Sequence, residues 1–365
     1  ITVESSKEII YIGGLLGRNG GIENGDIISG SEVTECYNRG IVSGPATATV
    51  NAGGICGMSG GTIKNCYNTG NITGTVTGTV TDSENSANVG GICGVCACEI
   101  SSTYNIGIVY GKLGVKKSNC VGAICGECEV SQDFLTSYYE DDIGIIGAGG
   151  KSNEDVSKSC SLLVMTGLGK GRSSDVMSEW LSDCKWVFTS DIINDSETGV
   201  RTLYYPHLRA FSTEPPSART VLISDSATLS KFHTAVGTDS KVFGYMTKDV
   251  NVDSDFNSIK KFEGRFYGNG HKITGLQNGL FTEVSGAIIQ GLKLEVNVNV
   301  TDKVNTGALV GYAENSFIHR CEIIGDVISV QNASTENVCT GGIVGRMNGG
   351  EISVSCNKLS RELIA

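Results

Sequence analysis

A five-residue glycine motif recurs along this chain, and it restricts the fold more than any other feature. Gly13-Gly14-Leu15-Leu16-Gly17 reappears as Gly53-Gly54-Ile55-Cys56-Gly57, as Gly90-Gly91-Ile92-Cys93-Gly94 and as Gly122-Ala123-Ile124-Cys125-Gly126. These copies begin 40, 37 and 32 residues apart. Two late copies, Gly307-Ala308-Leu309-Val310-Gly311 and Gly341-Gly342-Ile343-Val344-Gly345, begin 34 apart. Self-similarity at such a period marks a repeat architecture, in which each unit buries its apolar face only against its neighbours.

A second element follows the first. It reads Glu35-Cys36-Tyr37-Asn38-Arg39-Gly40, then Asn65-Cys66-Tyr67-Asn68-Thr69-Gly70, with a weaker copy at Thr103-Tyr104-Asn105-Ile106-Gly107 and a late one at Arg320-Cys321-Glu322-Ile323-Ile324-Gly325. A third short segment comes next, as in Gly40-Ile41-Val42-Ser43-Gly44 and Gly70-Asn71-Ile72-Thr73-Gly74. Three short strands per unit, stacked in register, predict one coil of a parallel β-helix. The glycines are expected to supply positive φ at the corners and close backbone packing. Variable inserts such as Thr73 to Val89 fall between the third strand and the next glycine motif, where they leave the stack undisturbed.

The pattern resembles the GLUG-motif repeats of bacterial surface proteins, including repeat regions of some IgA-specific metallopeptidases. Residues Gly53 to Gly74 match the family's GGxxGxxxxGxIxNCYxxGxVxG unit most closely. The resemblance implies an all-β chain of two right-handed parallel β-helix (solenoid) domains, each with a short non-repeat helix segment. It also implies an extracellular setting and often adhesion, and it does not imply catalysis.

Two segments interrupt the repeats. Ser173 to Asp183 reads as a short helix with Val176, Met177, Trp180 and Leu181 on one face and Ser174 as its N-cap. Cys184 to Phe188 and Tyr204 to Leu208 then read as closing strands, which together with that helix are expected to cover the open end of the first array. Glu214-Pro215-Pro216-Ser217 is the linker. Beyond it Val221 to Ile223 reads as a strand and Ser226 to Val236 as a helix with Leu229, Phe232 and Val236 inward. Phe262 to Ile273 resembles the opening strands of a GLUG array, and the resemblance implies that a second array starts there. The expected domains are residues 1–212 and 217–365.

Fourteen cysteines pose the main chemical question. Cys56, Cys93 and Cys125 share a repeat position where Leu16, Val310 and Val344 stand in other units, which points to a buried apolar slot. Cys36, Cys66 and Cys321 share another. Cys96, Cys98 and Cys128 fall outside this pattern, and Cys93-x-x-Cys96-x-Cys98 with Cys125-x-x-Cys128 has metal-like spacing. Aligning Cys98-Glu99-Ile100 with Cys128-Glu129-Val130 puts Cys98 and Cys128 at one turn, where Gly61 sits in an earlier unit. Structural thiols, a Cys98–Cys128 disulfide and a metal held by Cys96, Cys98 and Cys128 are all open, in that order of weight.

Other chemistry is sparse. His207, His233, His271 and His319 share no metal-ligand spacing. Asp249, Asp253 and Asp255 form an acidic cluster without the Gly and terminal Glu of a calcium loop, and Glu140-Asp141-Asp142 reads as a solvated loop. No catalytic residue and no cofactor is expected. A formal charge of −11 disfavours nucleic acid and anionic membrane surfaces as partners. No stretch reaches the roughly 18 apolar residues of a spanning helix. The sequence therefore predicts a non-enzymatic, secreted or cell-surface repeat protein, a monomeric fragment of a larger chain. Its role would be adhesion or display toward an extracellular ligand such as a host glycan or matrix protein. A plain spacer and a polysaccharide-active β-helix enzyme are the alternatives. The inserts Thr73 to Val89 and Tyr138 to Gly150 are the expected contact surface.

Overall fold

Short Val-, Ile- and Thr-rich segments bounded by Gly and Asn favour extended strands over helices, and the chain is all-β with parallel sheets. The computed structural model describes residues 1–3, 9–77, 86–113, 119–128, 136–140, 158–167, 177–180, 184–189, 193–211, 213, 215–253, 256–301, 304–330, 338–353 and 355–358. The chain divides into two units, Ile1–Ser190 with Tyr204–Pro216, and Asp191–Leu203 with Ser217–Ala365. One division falls between Pro216 and Ser217. Residues 191–203, expected in the first domain, go instead with the second. Strand Val200–Tyr204 lies beside strand Ser217–Ile223 in the sheet, and Val200 is buried in the second unit's core.

In the first unit one repeat contributes five strands rather than three. The second repeat supplies Thr49–Gly53, Cys56–Ser59, Ile63–Lys64, Tyr67–Asn68 and Ile72–Val76. Each pairs in parallel with its counterpart in the repeats before and after. Ile12, Ala52 and Val89 align, as do Leu16, Cys56, Cys93 and Cys125, and Tyr37, Tyr67, Tyr104 and Tyr138. Identical residues at one position thus form columns. Among the described residues the strands enclose at least two apolar clusters. One holds Ile12, Val42, Val50, Ile72 and Val89; another holds Ile55, Ile63, Ile92, Ile100 and Ile124 among the cysteines.

The glycine motif works by close approach and not by positive φ, because none of its glycines has a positive φ. A Cβ on Gly53 would collide with the Cys56 carbonyl oxygen three residues on, and Gly13, Gly90, Gly307 and Gly341 meet the same oxygen of their own motifs. The second glycine faces an asparagine: Gly14, Gly54, Gly91 and Gly342 abut Asn38, Asn68, Asn105 and Asn357. Where the motif carries Ala123 or Ala308, the matching positions are Tyr139 and Ile323. The positive-φ corners fall elsewhere, on Glu35, Asn65, Ser102 and Thr136, at φ of 49–58°. Those side chains are retained for their bonds. Asn65 accepts from Trp186 Nε1 at 3.1 Å, and Ser102 meets Thr136 Oγ1 at 3.1 Å.

Polar columns are as ordered as apolar ones. Asn38 Nδ2 donates to Asn68 Oδ1 at 2.8 Å, and Asn68 Nδ2 to Asn105 Oδ1 at 2.7 Å. Each asparagine also bonds the backbone of the glycine two residues on. Burying such amides is tolerated because they are paired.

The segment expected to close the end of the first array lies along its side instead. Of the expected helix only a 3-10 turn, Ser178–Trp180, is described; Ser174, Val176 and Leu181 lie outside the described residues. Trp186–Val187 pairs antiparallel with His207–Leu208, and this strap covers the tyrosine column. Tyr37, Tyr67 and Tyr104 stack at 5.0 and 5.1 Å between centroids. Phe211 packs on Tyr37, Trp186 on Tyr67 and Tyr104, and Trp180 on Tyr104 and Tyr138. Tyr104 donates its hydroxyl to the Pro206 carbonyl at 2.6 Å. A column of outward tyrosines is a large apolar surface, and the strap removes it from water.

The second unit opens as the sequence predicts. Strand Ser217–Ile223 leads to helix Ser226–Thr238, whose N-cap Asp225 forms a capping box with Thr228. Leu229, Phe232, Ala235 and Val236 are buried, with Phe232 edge-on to Phe262 and Phe266. Gly244, Phe266, Ile289, Ile318 and Ile352 then stack in parallel, so successive layers take up 22, 23, 29 and 34 residues. The later layers lengthen because strands Val298–Thr301 and Asn305–Gly307 are added, pairing with Val327–Val330 and Cys339–Gly341.

These contacts separate two kinds of glycine. Gly53→Ala is expected to destabilise the first unit by about 3 kcal/mol or more. Gly237 lies in the helix, and a Cβ added there would meet nothing within 4 Å. It should tolerate alanine and gain about 0.5–1 kcal/mol. Denaturant unfolding of both variants checks the pair, and equal effects would contradict the close-approach account.

Candidate functional site

The cysteines become a buried wall. Cys56, Cys93 and Cys125 form one column, all fully buried, with Leu16 continuing it. Cys96 is in register with Ser59 and Cys128. This corrects the sequence alignment of Cys98 with Cys128: the partner of Cys128 is Cys96. Cys98 lies two residues on and does reach Gly61, donating to its carbonyl at 2.7 Å. Cys96 and Cys98 bring their sulfurs to 3.3 Å. Among the described residues no cysteine pair is joined as a disulfide, and no group of three or more His, Cys, Asp or Glu converges as a metal site. Cys96, Cys98 and Cys128 pack with isoleucines in the apolar cluster.

Burial pushes the Cys93 and Cys125 thiols well up, which keeps them protonated and inert. Cys36 differs. It is half-buried at the edge of the stack, and the hydrogen bond from Cys66 brings its thiol down to about 7.

The acidic residues are engaged by the protein. Asp249 accepts from the Lys272 backbone N–H at 3.0 Å and lies 3.1 Å from His271 Nδ1, which lowers its carboxyl. Asp253 accepts from the Ser226 hydroxyl; Asp255 lies outside the described residues. Glu140, expected in a solvated loop, is fully buried, and the Tyr205 hydroxyl of the strap donates to it at 3.4 Å. Asp141 and Asp142 lie outside the described residues, as do residues 78–85 and 141–150, the centres of the two expected contact inserts.

Nothing in the sequence pattern announces the concavity of the second unit. A groove of about 490 Å³ runs across its layers. The lining comes from helix residue His233, from Asn257 and Lys260, from Asn278, and from Asn305 and Thr306 of a later layer. His233 also borders two neighbouring depressions and packs its ring on Phe256 at 5.8 Å. Thr306 is 4% exposed, and neither its hydroxyl nor Asn305 Oδ1 has a hydrogen-bond partner. No repeat signal marks this site, because the layers supplying it differ in length.

Two experiments check these placements. In the native protein, alkylation should modify exposed Cys356 and half-buried Cys36 while sparing Cys56, Cys66, Cys93, Cys96, Cys98 and Cys125 until unfolding; rapid native labelling of Cys96 or Cys98 would refute the core assignment. His207 in the first unit and His319 in the second are pushed below 6.5 by burial. The unfolded chain then takes up their protons first on acidification, so their contribution is complete above about 6.5 and is lost as pH falls through the folded values. Unfolding midpoints should drop over that window, and His319→Gln should flatten the drop in the second unit.

Compared with known protein families, with curated proteins and with solved structures, the chain matches none.

Proposed function

We propose that both units are right-handed parallel β-helices of the GLUG-repeat kind, and that the protein is a non-enzymatic extracellular module that displays contact surfaces for a ligand. One observation supports this reading above the others. Register is held across the repeats while the connection at one junction changes length. Two residues separate Ala46 from Thr49, nine separate Val76 from Ser86, and five separate Leu113 from Asn119. The strands on either side still align residue for residue. A scaffold that tolerates variable inserts at a fixed place suits recognition.

The first repeat carries a further insertion. The hairpin Gly21–Glu23 with Asp26–Ile28 occupies the junction where the second repeat has three residues, and it exposes Ile27 and Ile28. Asparagine and threonine columns bonded amide to amide or to serine suit an architectural role. A surface or secreted setting in a bacterium, and adhesion to a host glycan or matrix protein, belong to this proposal, and a spacer role is its alternative.

An array of glycans and matrix proteins, probed with the whole chain, tests it. The expected result is binding that is lost when residues 78–85 are replaced by a short Gly-Ser linker and the unfolding midpoint is unchanged. Silence across the array would favour the spacer, and cleavage of an arrayed polysaccharide would contradict the reading.

A further inference from the structure

Cys36 and Cys66 occupy one position in successive repeats, and the register brings them together. Thr34 pairs with Lys64 two residues before them, and Tyr37 pairs with Tyr67 just after. The Tyr67 N–H donates to the Cys36 carbonyl at 3.0 Å. Each thiol turns back in the same way. Cys36 Sγ lies 3.2 Å from the Thr34 carbonyl, and Cys66 Sγ lies 3.2 Å from the Lys64 carbonyl. Cys66 Sγ also reaches the Val33 carbonyl of the first repeat at 3.7 Å, and the two thiols are hydrogen-bonded to each other. Neighbouring strands lie about 4.8 Å apart, within the roughly 4.4–6.8 Å that separates the Cα atoms of a disulfide.

Access distinguishes this pair from the other stacked thiols. Cys56, Cys93 and Cys125 are in register, as are Cys96 and Cys128, but all five are buried, which denies an oxidant access. Cys36 is half-buried, next to strand Tyr37–Asn38 at the edge of its sheet. Cys66 is buried in the next repeat and need only meet Cys36. Cys120, Cys339 and Cys356 have some exposure, but they stand opposite Asn88, Asn305 and Glu322. The hydrogen bond from Cys66 lowers the Cys36 thiol to about 7, so the reactive thiolate is present at neutral pH.

We propose that Cys36 and Cys66 are a covalent modification site, at which a small-molecule disulfide oxidises the pair and so clips the first repeat to the second. The Cys36 thiolate attacks one sulfur of the reagent, forming a mixed disulfide and releasing a thiolate that takes up the proton Cys36 gave to solvent. Cys66 then attacks the Cys36 sulfur. The other half of the reagent leaves with the Cys66 proton as a second thiol. Two electrons pass from the cysteine pair to the reagent, which is reduced to two thiols. Strands Ile9–Gly13, Leu16–Asn19, Val33–Thr34 and Tyr37–Asn38 of the first repeat are all edge strands of their sheets. Such a layer opens first, and the link fastens it. The proposal goes beyond the display reading and does not rest on it.

Oxidised glutathione added to the folded, reduced whole chain tests it, read by peptide mapping without reduction. A peptide cross-linked through Cys36 and Cys66 should appear, at a rate that rises with pH through a midpoint of about 7. In Cys66→Ala the reaction should stop at the Cys36–glutathione adduct. Its midpoint should move up toward the ordinary thiol value of about 8.5, as expected on removing the donor. Protease cleavage within the first repeat should be about tenfold slower in the linked wild-type chain, and a reductant should restore it. A Cys36 adduct that persists in the wild type overturns the proposal, as does a link from Cys66 to another cysteine or one formed only in denaturant. Equal cleavage of linked and reduced chains overturns the clip. If Cys66→Ala does not fold, the wild-type map decides. All of these outcomes leave the display reading untouched.

Discussion

In five of the six glycine motifs the carbonyl oxygen of the fourth residue sits where a side chain on the first would be. That single close approach decides much of the rest. It lets strand Thr49–Gly53 turn directly into Cys56–Ser59, and it brings Gly57 against the backbone of the preceding repeat at Ile12 and Gly17. With backbones this close, successive repeats can align only one way. A slip of one residue would place a side chain on an occupied oxygen and turn every buried isoleucine outward. Register in turn produces the columns of cysteine, tyrosine and asparagine, and the columns set the chemistry of each face.

The two units answer the problem of an exposed face differently. In the first, outward tyrosines accumulate into an apolar strip, and the strap bearing Trp180, Trp186 and Phe211 is laid over it. In the second, a helix with Phe232 at its centre covers the first layer. Both solutions leave part of the surface available. In the second unit a groove lies beside the helix, lined by His233, Lys260 and Asn278.

How far the sequence can be read follows from which features repeat. Residues recurring at fixed spacing, such as Gly53 and Gly90 or Tyr67 and Tyr104, announce their alignment, and the helix at Leu229 and Phe232 carries its own periodicity and cap. Features that occur once do not. Trp180 and Trp186 read as an end cover because nothing in their spacing names the tyrosines they touch. Glu140 reads as solvated because its burial comes from Tyr205, distant in sequence. Cys128 aligns with Cys98 by the similarity of the residues that follow each, whereas the count from Cys93 and Cys125 places Cys96 beside Cys128, and the strand register obeys the count. Glycine is the usual residue for a positive-φ corner, yet the corners at Asn65 and Ser102 keep side chains that bond across the fold. The groove draws on layers of unequal length, so no period exposes it.

Inter-residue NMR contacts across the tyrosine column test the account most directly, because a stacked, in-register chain is its central claim. Backbone cross-peaks linking Tyr67 to both Tyr37 and Tyr104, and Cys93 to both Cys56 and Cys125, are the expected result. Cross-peaks offset by a residue, or absent between repeats while present within them, would contradict it.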